Sequence, residues 1–264
     1  MNKIISVILA FVILFGGLFW YWSVNVDPTR QMTNGKMLEA GKKVALISES
    51  DIIYFAGAKG YFTRPATEAV YPGVVIIHEN RGLRPEIKTM ADELAKEGYM
   101  VLAVDFLGMP VETQEQARAL TAGFDQQKGT ENLKAAVAYL KSKGAPKVAS
   151  LGWCFGGAQS LQLALSGQQM DATLIYYGRL ATTTTALAPI KWPVLGVFGD
   201  KDQSISTTSV GQFKTALNTL KIENEIYIYP GVGHAFANPS GMNYAPEATK
   251  DAWAKTVAFL KKHL

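Results

Sequence analysis

Cysteine is nearly absent from this chain, which holds a single one, Cys154, among 264 residues. One thiol excludes an internal disulfide. No cysteine lies near the amino terminus, which excludes a lipid-modified cysteine there. The chain is nevertheless compatible with an oxidising compartment, because Cys154 has no internal partner with which to form a disulfide.

Charge is also sparse, since charged residues make up 18% of the chain and the formal net charge is +4. The lysines are scattered rather than clustered, which indicates a solvated surface and does not favour a nucleic-acid partner. Apolar residues make up 48%, which excludes disorder and a protein with many membrane spans. The length suits one large α/β domain or two small domains, and no internal repeat is evident.

An uncharged run of nineteen residues, 4 to 22, follows Lys3 at the amino end. It has about the length of a membrane-spanning helix, and it closes with Trp20, Tyr21 and Trp22, as an interfacial aromatic girdle does. A cleaved secretory signal is the alternative, although the run exceeds the usual signal core and no clear A-x-A site follows. We favour an N-terminal transmembrane anchor over residues 1–24. Its amino terminus would be cytoplasmic and the remaining chain would lie on the outer, periplasmic or extracellular side, whereas cleavage would give a secreted protein.

The anchor is followed by a polar linker, residues 25–42, and by a domain over residues 43–264. Strand-like runs at 44–47 and 52–55 predict a pair or trio of antiparallel strands. Thr182 to Thr185 is expected to be loop. From Pro72 onward, strand-like and helix-like segments alternate. We predict strands at 73–77, 99–104, 147–151, 172–177, 194–198 and 225–229, and helices at 85–97, 130–143, 158–165, 210–220 and 246–262.

This alternation predicts an α/β fold with a mainly parallel central sheet and helices on both faces, because helices of this length form right-handed crossovers between strands. The sequence around Cys154 fits one specific turn of such a fold. Gly152 and Gly156 flank the thiol at two residues on either side, between a strand-like and a helix-like run. That spacing is typical of the nucleophile elbow, in which glycines permit a sharp turn that presents a side chain at its apex. The alternative is that Cys154 is a small buried apolar residue, as lone cysteines usually are.

Functional side chains of such sheets gather beyond the carboxyl ends of the strands. Cys154, Asp202 and His234 each follow a predicted strand, in the chain order nucleophile, acid, histidine. His234 would take the thiol's proton, and Asp202 would fix the imidazole tautomer. Asp200 is held in reserve as the acid, since it could instead cap a turn. The N–H of Phe155, directly after the nucleophile, is expected to stabilise an oxyanion.

Five motifs together are specific: Gly152 to Gly157, His78 to Gly82, Tyr176 to Gly178, Gly199 to Asp202 and Gly233 to Phe236. On these motifs the sequence resembles the dienelactone hydrolase family, a branch of the α/β-hydrolase fold with a cysteine nucleophile, from about Ile52 to Leu264. The resemblance implies the α/β-hydrolase fold for this domain.

The resemblance also implies roles for two residues after the first parallel strand. Asn80 would supply the second oxyanion N–H. Glu79 would contact the resting thiol and take part in its activation, which would protect a lone thiol from oxidation until substrate binds. The alternative is that Glu79 forms a loop-stabilising ion pair with Arg81 or Arg84.

The chain also departs from the family pattern. Asn238 stands where an arginine four residues after the histidine would hold a substrate carboxylate, and the segment after Asp105 lacks a second expected arginine. Arg81 or Arg179 could substitute. The candidate substrate-binding residues are Arg81, Tyr177 and Trp153.

The expected function is hydrolysis of a lactone or other carboxylic ester, a small-molecule substrate, through a Cys-His-Asp triad and an acyl-enzyme. No metal or organic cofactor is expected. Two alternatives remain open: a non-catalytic binding protein on the same fold, and a thioesterase or cysteine peptidase on the same triad. His78 could shape the pocket or pack in the core, and His263 is expected at a solvated helix end.

Overall fold

The computed structural model describes residues 44–264. The expected anchor at residues 4–22 and the expected linker at 25–42 therefore lie outside the described residues. Within residues 44–264, no helix combines the length and the apolar character that crossing a membrane requires.

Eight strands form one sheet in the order β1-β2-β4-β3-β5-β6-β7-β8. The first two are antiparallel to their neighbours, and the other neighbouring pairs are all parallel, which confirms the predicted mainly parallel sheet. In the sheet, β4 lies on one side of β3 and β5 lies on the other, so the order of the strands reverses at β3. Such a reversal opens a crevice at the carboxyl ends of the strands. The strands are β1 (Leu46–Phe55), β2 (Ala58–Pro65), β3 (Gly73–Ile77), β4 (Met100–Val104), β5 (Val148–Trp153), β6 (Ala172–Tyr176), β7 (Val194–Gly199) and β8 (Asn224–Tyr229).

Helices cover both faces of the sheet, as the alternating pattern predicted. The side chains of β3 show why its run is continuously apolar. Val75 and Ile77 belong to the core cluster on the face covered by α3, α4 and α6, whereas Val74 and Ile76 belong to the cluster on the face covered by α1 and α7. Full burial of such a side chain stabilises the fold by about 1.5–3 kcal/mol. The helices are α1 (Pro85–Lys96), α2 (Gln114–Ala122), α3 (Gln126–Ser142), α4 (Phe155–Leu165), α5 (Thr184–Leu187), α6 (Thr207–Thr219) and α7 (Pro246–His263).

The predicted antiparallel pair at the start of the domain is present, but the two strand-like runs belong to one strand, β1, which pairs with β2 across register shifts. Two further elements differ from the sequence-based predictions. Sequence reasoning missed α2, because a capping box at Thr113 starts that helix while Ala117 is its one buried residue, so its apolar periodicity is weak. The threonine run predicted as loop begins α5, with Thr183 as the N-cap.

Candidate active site

The elbow places Cys154 between β5 and α4 with a backbone conformation of φ 54° and ψ −114°. Glycine is required on both sides of this strained turn. A Cβ atom at Gly152 would lie 2.1 Å from the carbonyl oxygen of Gly156, and one at Gly156 would lie 2.2 Å from that of Ile77. The predicted nucleophile elbow is therefore present. Its cysteine is only partly buried.

His234 lies between Cys154 and Asp202. Its Nε2 is 3.1 Å from the Cys154 Sγ, and its Nδ1 is 2.8 Å from Asp202 Oδ2. The other carboxylate oxygen of Asp202 accepts the backbone N–H groups of Ser204 at 2.7 Å and Ile205 at 3.0 Å. The loop after β7 thus fixes the carboxylate, and the carboxylate fixes the imidazole.

This arrangement favours a charged imidazole. Burial alone would lower the pKa of His234, but hydrogen bonds to Asp202 and Cys154 raise it to about 10. Burial likewise opposes ionisation of Asp202, yet hydrogen bonds from His234, Ile205 and Ser204 outweigh it and lower the pKa of that carboxyl. An imidazolium held 3.1 Å from a thiol stabilises the thiolate, which is the nucleophilic form of cysteine.

The other candidate aspartate and the other two histidines have different partners and take no part in the relay of His234 and Asp202. Asp200 accepts the backbone N–H of Gly231 at 2.7 Å, so its carboxylate binds the loop after β8 and not the turn that follows Asp200. His78 is fully buried and bonds to the Phe106 N–H at 3.1 Å, which makes it a core residue that joins two loops. His263 is not solvated as expected: its side chain is 10% exposed and packs on Phe259, with ring centroids 4.5 Å apart.

Cys154 and His234 open into a cavity of about 670 Å³. The two predicted oxyanion donors, Asn80 and Phe155, line it as well. Phe155 is the first residue of α4, where backbone N–H groups have no partner within the helix. Asn80 and Phe155 therefore line the same cavity as the thiol.

Aromatic and positively charged residues both line this cavity. The Phe124 ring packs edge-on against Phe155, with centroids 5.0 Å apart. Arg118 and Arg179 also line the cavity, and both are exposed residues. Sequence reasoning named Arg179 but missed Arg118 and Phe124. Arg118 lies on the unpredicted helix α2, so no sequence signal connected it to Cys154.

Two of the predicted substrate-binding residues lie elsewhere. Tyr177 lines the Cys154 cavity, but Arg81 and Trp153 line a neighbouring, smaller cavity together with Glu79. Tyr177 borders both cavities. Its ring packs on His234 at 5.3 Å between centroids, and its hydroxyl donates to Glu79 at 3.4 Å.

Glu79 has partners other than those considered from the sequence. Its carboxylate binds Tyr177 and the side-chain amide of Asn238. Among residues 44–264, no hydrogen bond joins it to Cys154, and neither Arg81 nor Arg84 forms an ion pair with it. Burial raises the pKa of Glu79, since it disfavours the charged carboxylate. Hydrogen bonds from Asn238 and Tyr177 and the charge of His234 lower the pKa, but they offset the effect of burial only in part.

The model of the dienelactone hydrolase family matches residues 58–264. The chain belongs to the dienelactone hydrolase family. This confirms the predicted family, the α/β-hydrolase fold of the described domain, and the enzyme class, a hydrolase of lactones or carboxylic esters.

Relatives of known sequence or structure cover most of the matched domain. A protein of Saccharolobus solfataricus named "Putative carboxymethylenebutenolidase" is 30% identical over 81% of this chain and 98% of its own length. A Bradyrhizobium protein named "Probable 2-oxo-3-(5-oxofuran-2-ylidene)propanoate lactonase" is 28% identical over 77% of this chain and 89% of its own. The crystal structure of a "Putative Dienelactone Hydrolase" from Klebsiella pneumoniae has a TM-score of 0.74 at 25% identity, over 81% of this chain and 98% of that one.

Proposed function

We propose that this member of the dienelactone hydrolase family cleaves a lactone or other small carboxylic ester with Cys154 as nucleophile, His234 as base and acid, and Asp202 as the group that orients His234. The observation that carries the proposal is the position of the imidazole, 3.1 Å from the thiol on one side and 2.8 Å from the carboxylate on the other. Such a relay matches the distances that proton transfer requires.

Acylation begins with attack of the Cys154 thiolate on the substrate carbonyl. The developing oxyanion would accept hydrogen bonds from the N–H groups of Phe155 and Asn80. The protonated His234 then donates its Nε2 proton to the departing alkoxide, and a thioester remains on Cys154. In a lactone the alkoxide stays attached to the acyl group, because both come from one ring.

Deacylation uses the same groups in the reverse sense. His234, now neutral, takes a proton from water as that water attacks the thioester, and the resulting hydroxyl oxygen adds to the carbonyl carbon. Collapse of the intermediate expels the Cys154 thiolate, and the acid product leaves. Asp202 keeps the proton of Nδ1 in place throughout, so that Nε2 is the atom that exchanges protons.

The cavity favours a small molecule. A volume of about 670 Å³ lies within the range of small-molecule sites, about 300–1,000 Å³. One relative is named a lactonase, and its similarity to this chain supports a lactone as the proposed substrate. Since Arg118 and Arg179 line the cavity, substrates with and without a carboxylate belong in the first comparison.

The test is a panel of lactones, aryl esters, acyl-thioesters and peptides with the wild-type protein and Cys154→Ala. We expect turnover of lactones or esters by the wild type and at least a 10³-fold loss in the variant, since the nucleophile is removed. Mass spectrometry of a single turnover should show an acyl group on Cys154. Thermal unfolding checks that the variant is folded, and retained ester turnover by folded Cys154→Ala would contradict the proposal. Faster turnover of peptides or thioesters than of esters would reassign the substrate.

A further inference from the structure

Glu79 is a buried carboxyl beside the proposed triad that has no part in the relay. Its Oε1 accepts the Tyr177 hydroxyl at 3.4 Å, and its Oε2 accepts the side-chain N–H of Asn238. The thiol, in contrast, contacts His234. Tyr177 borders both the cavity of Glu79 and the cavity of Cys154.

The orientation of the Asn238 amide is fixed by its other neighbours. Its Oδ1 accepts the backbone N–H of Ser240 at 2.9 Å and the Ser240 hydroxyl at 2.9 Å. A backbone N–H can only donate, so the amide oxygen must face Ser240 and the NH₂ group must face Glu79. The backbone of Asn238 is also tied, since its N–H donates to Ala235 at 3.0 Å and its carbonyl accepts Gly241 at 2.9 Å.

The charged groups around Glu79 do not supply a competing partner. His234 is the nearby cation, and it is bound to Asp202 and Cys154. Glu86 is the nearby anion, and it binds Arg84 at 3.1 Å and Ser240 at 3.1 Å. Arg84 also reaches Glu112, while Arg81 lines the cavity without an ion pair to Glu79 within residues 44–264. Asn238 and Tyr177 therefore hold this carboxyl through uncharged groups.

We propose that Asn238 is a positioning residue that holds Glu79 against Tyr177 and away from Cys154, so that His234 is the only titrating partner of the thiol in the resting enzyme. The inference rests on the proposed function in taking Cys154 as the nucleophile. It implies a thiol that is reactive before substrate arrives, in contrast to the gated thiol expected from the family resemblance. A neutral amide suits this role, because it binds a carboxyl in either protonation state.

Removing the amide should release the carboxyl. In Asn238→Ala the Glu79 side chain loses the donor on Oε2 and keeps the longer contact to Tyr177, so it becomes free to rotate toward the thiol. Glu79 and Cys154 would then share protons, and the reactivity of the thiol would follow two titrations instead of one.

The experiment measures the rate at which iodoacetamide alkylates Cys154 between pH 5 and pH 10, read by mass spectrometry of the full chain. In the wild type we expect the alkylation rate to follow a single titration, that of Cys154 paired with His234. Asn238→Ala should show a second titration and a rate between pH 5 and pH 7 that is about three- to tenfold lower, because the negative charge of an ionised Glu79 near the sulfur disfavours the thiolate. The double variant Asn238→Ala/Glu79→Gln should return to one titration.

The matched control is Asn243→Ala, which removes another side-chain amide of the same loop. Asn243 donates to the backbone carbonyl of His234 at 2.9 Å and has no bond to Glu79. If the effect came only from a loosened loop, Asn238→Ala and Asn243→Ala would change the pH dependence of alkylation alike. The proposal predicts instead that Asn243→Ala keeps one titration. A single titration in folded Asn238→Ala, or a second titration that persists in the double variant, would overturn it.

A further measurement keeps the proposal testable should Asn238→Ala not fold. Glu79→Gln alone should change the alkylation rate at each pH by less than about threefold, since Glu79 does not contact the thiol in the wild type. A larger change would show that Glu79 already titrates with Cys154 and would overturn the proposal. Alkylation needs no substrate, so failure of ester hydrolysis, which would defeat the proposed function, is distinguishable from failure of this inference.

Discussion

Asp202→Asn should disable His234, the base of the proposed triad, without changing the shape of the loop that carries residue 202. In the wild type, Oδ1 accepts the N–H groups of Ser204 and Ile205 and Oδ2 faces His234. These two N–H donors require an oxygen, so the new amide must direct its NH₂ group at Nδ1 of His234. Nδ1 would then accept, its proton would move to Nε2, and the imidazole would present an N–H to the thiol of Cys154.

An imidazole in that tautomer cannot take the proton of a thiol or of water. We expect kcat/KM for an ester to fall by about 10³- to 10⁴-fold, the range typical of a histidine held in the wrong tautomer. This corresponds to about 4–5.5 kcal/mol of lost transition-state stabilisation. Alkylation of Cys154 at pH 6 should also slow by at least about tenfold, because an ordinary thiol is less than about 1% ionised at that pH.

The matched control for this variant is Asp200→Asn. It makes the same chemical change two residues away, on a carboxylate that binds Gly231 and not His234. Its kcat/KM should stay within about threefold of the wild type. Initial rates with an aryl ester and thermal unfolding of both variants provide the comparison. If folded Asp202→Asn keeps more than about a tenth of wild-type kcat/KM, the assignment of Asp202 is wrong.

Three further predictions concern the elbow, the cavity wall and pH. Gly156→Ala should lower the free energy of unfolding in urea by more than about 3 kcal/mol, because its Cβ would meet the Ile77 carbonyl at 2.2 Å, whereas Gly211→Ala, with nothing within 4 Å, should be neutral or stabilising. Gly129→Ala should raise KM severalfold and change kcat less than about twofold in steady-state assays, since its Cβ would lie 2.2 Å from Phe124 and displace that ring, and an unchanged KM would contradict this. Because folding raises the pKa of His234 from 6.5 to about 10, its contribution to stability is complete below pH 6.5 and is lost as the pH rises to about 10. Thermal unfolding of the wild type and His234→Ala should therefore differ most at about pH 6 and least near pH 10, and a gap that widens with pH would contradict the assignment.

Local patterns were sufficient to predict most of the central elements. The strands β3 to β7 are buried along their whole length, and the mostly apolar runs that such burial requires are easy to recognise in sequence. Helix α2 was missed for the opposite reason, since it covers a surface with one buried residue and depends on its cap. The predicted start of α3 was late by four residues, because the first turn of this helix is polar and starts from the Asp125 cap.

The sequence alone determined the family, the elbow and the chain order of its three candidate catalytic residues, because a sharp turn needs glycines at fixed spacing whatever packs around it. It could not decide what Glu79 contacts, since its partners Tyr177 and Asn238 are distant in the chain and meet it only when β3, β6 and the loop after β8 share one edge of the sheet. The same holds for Arg118, which an irregular segment and a weakly patterned helix bring to the cavity. Spacing along the chain fixes a turn, but contacts between side chains of different elements follow from how the whole sheet and its helices pack.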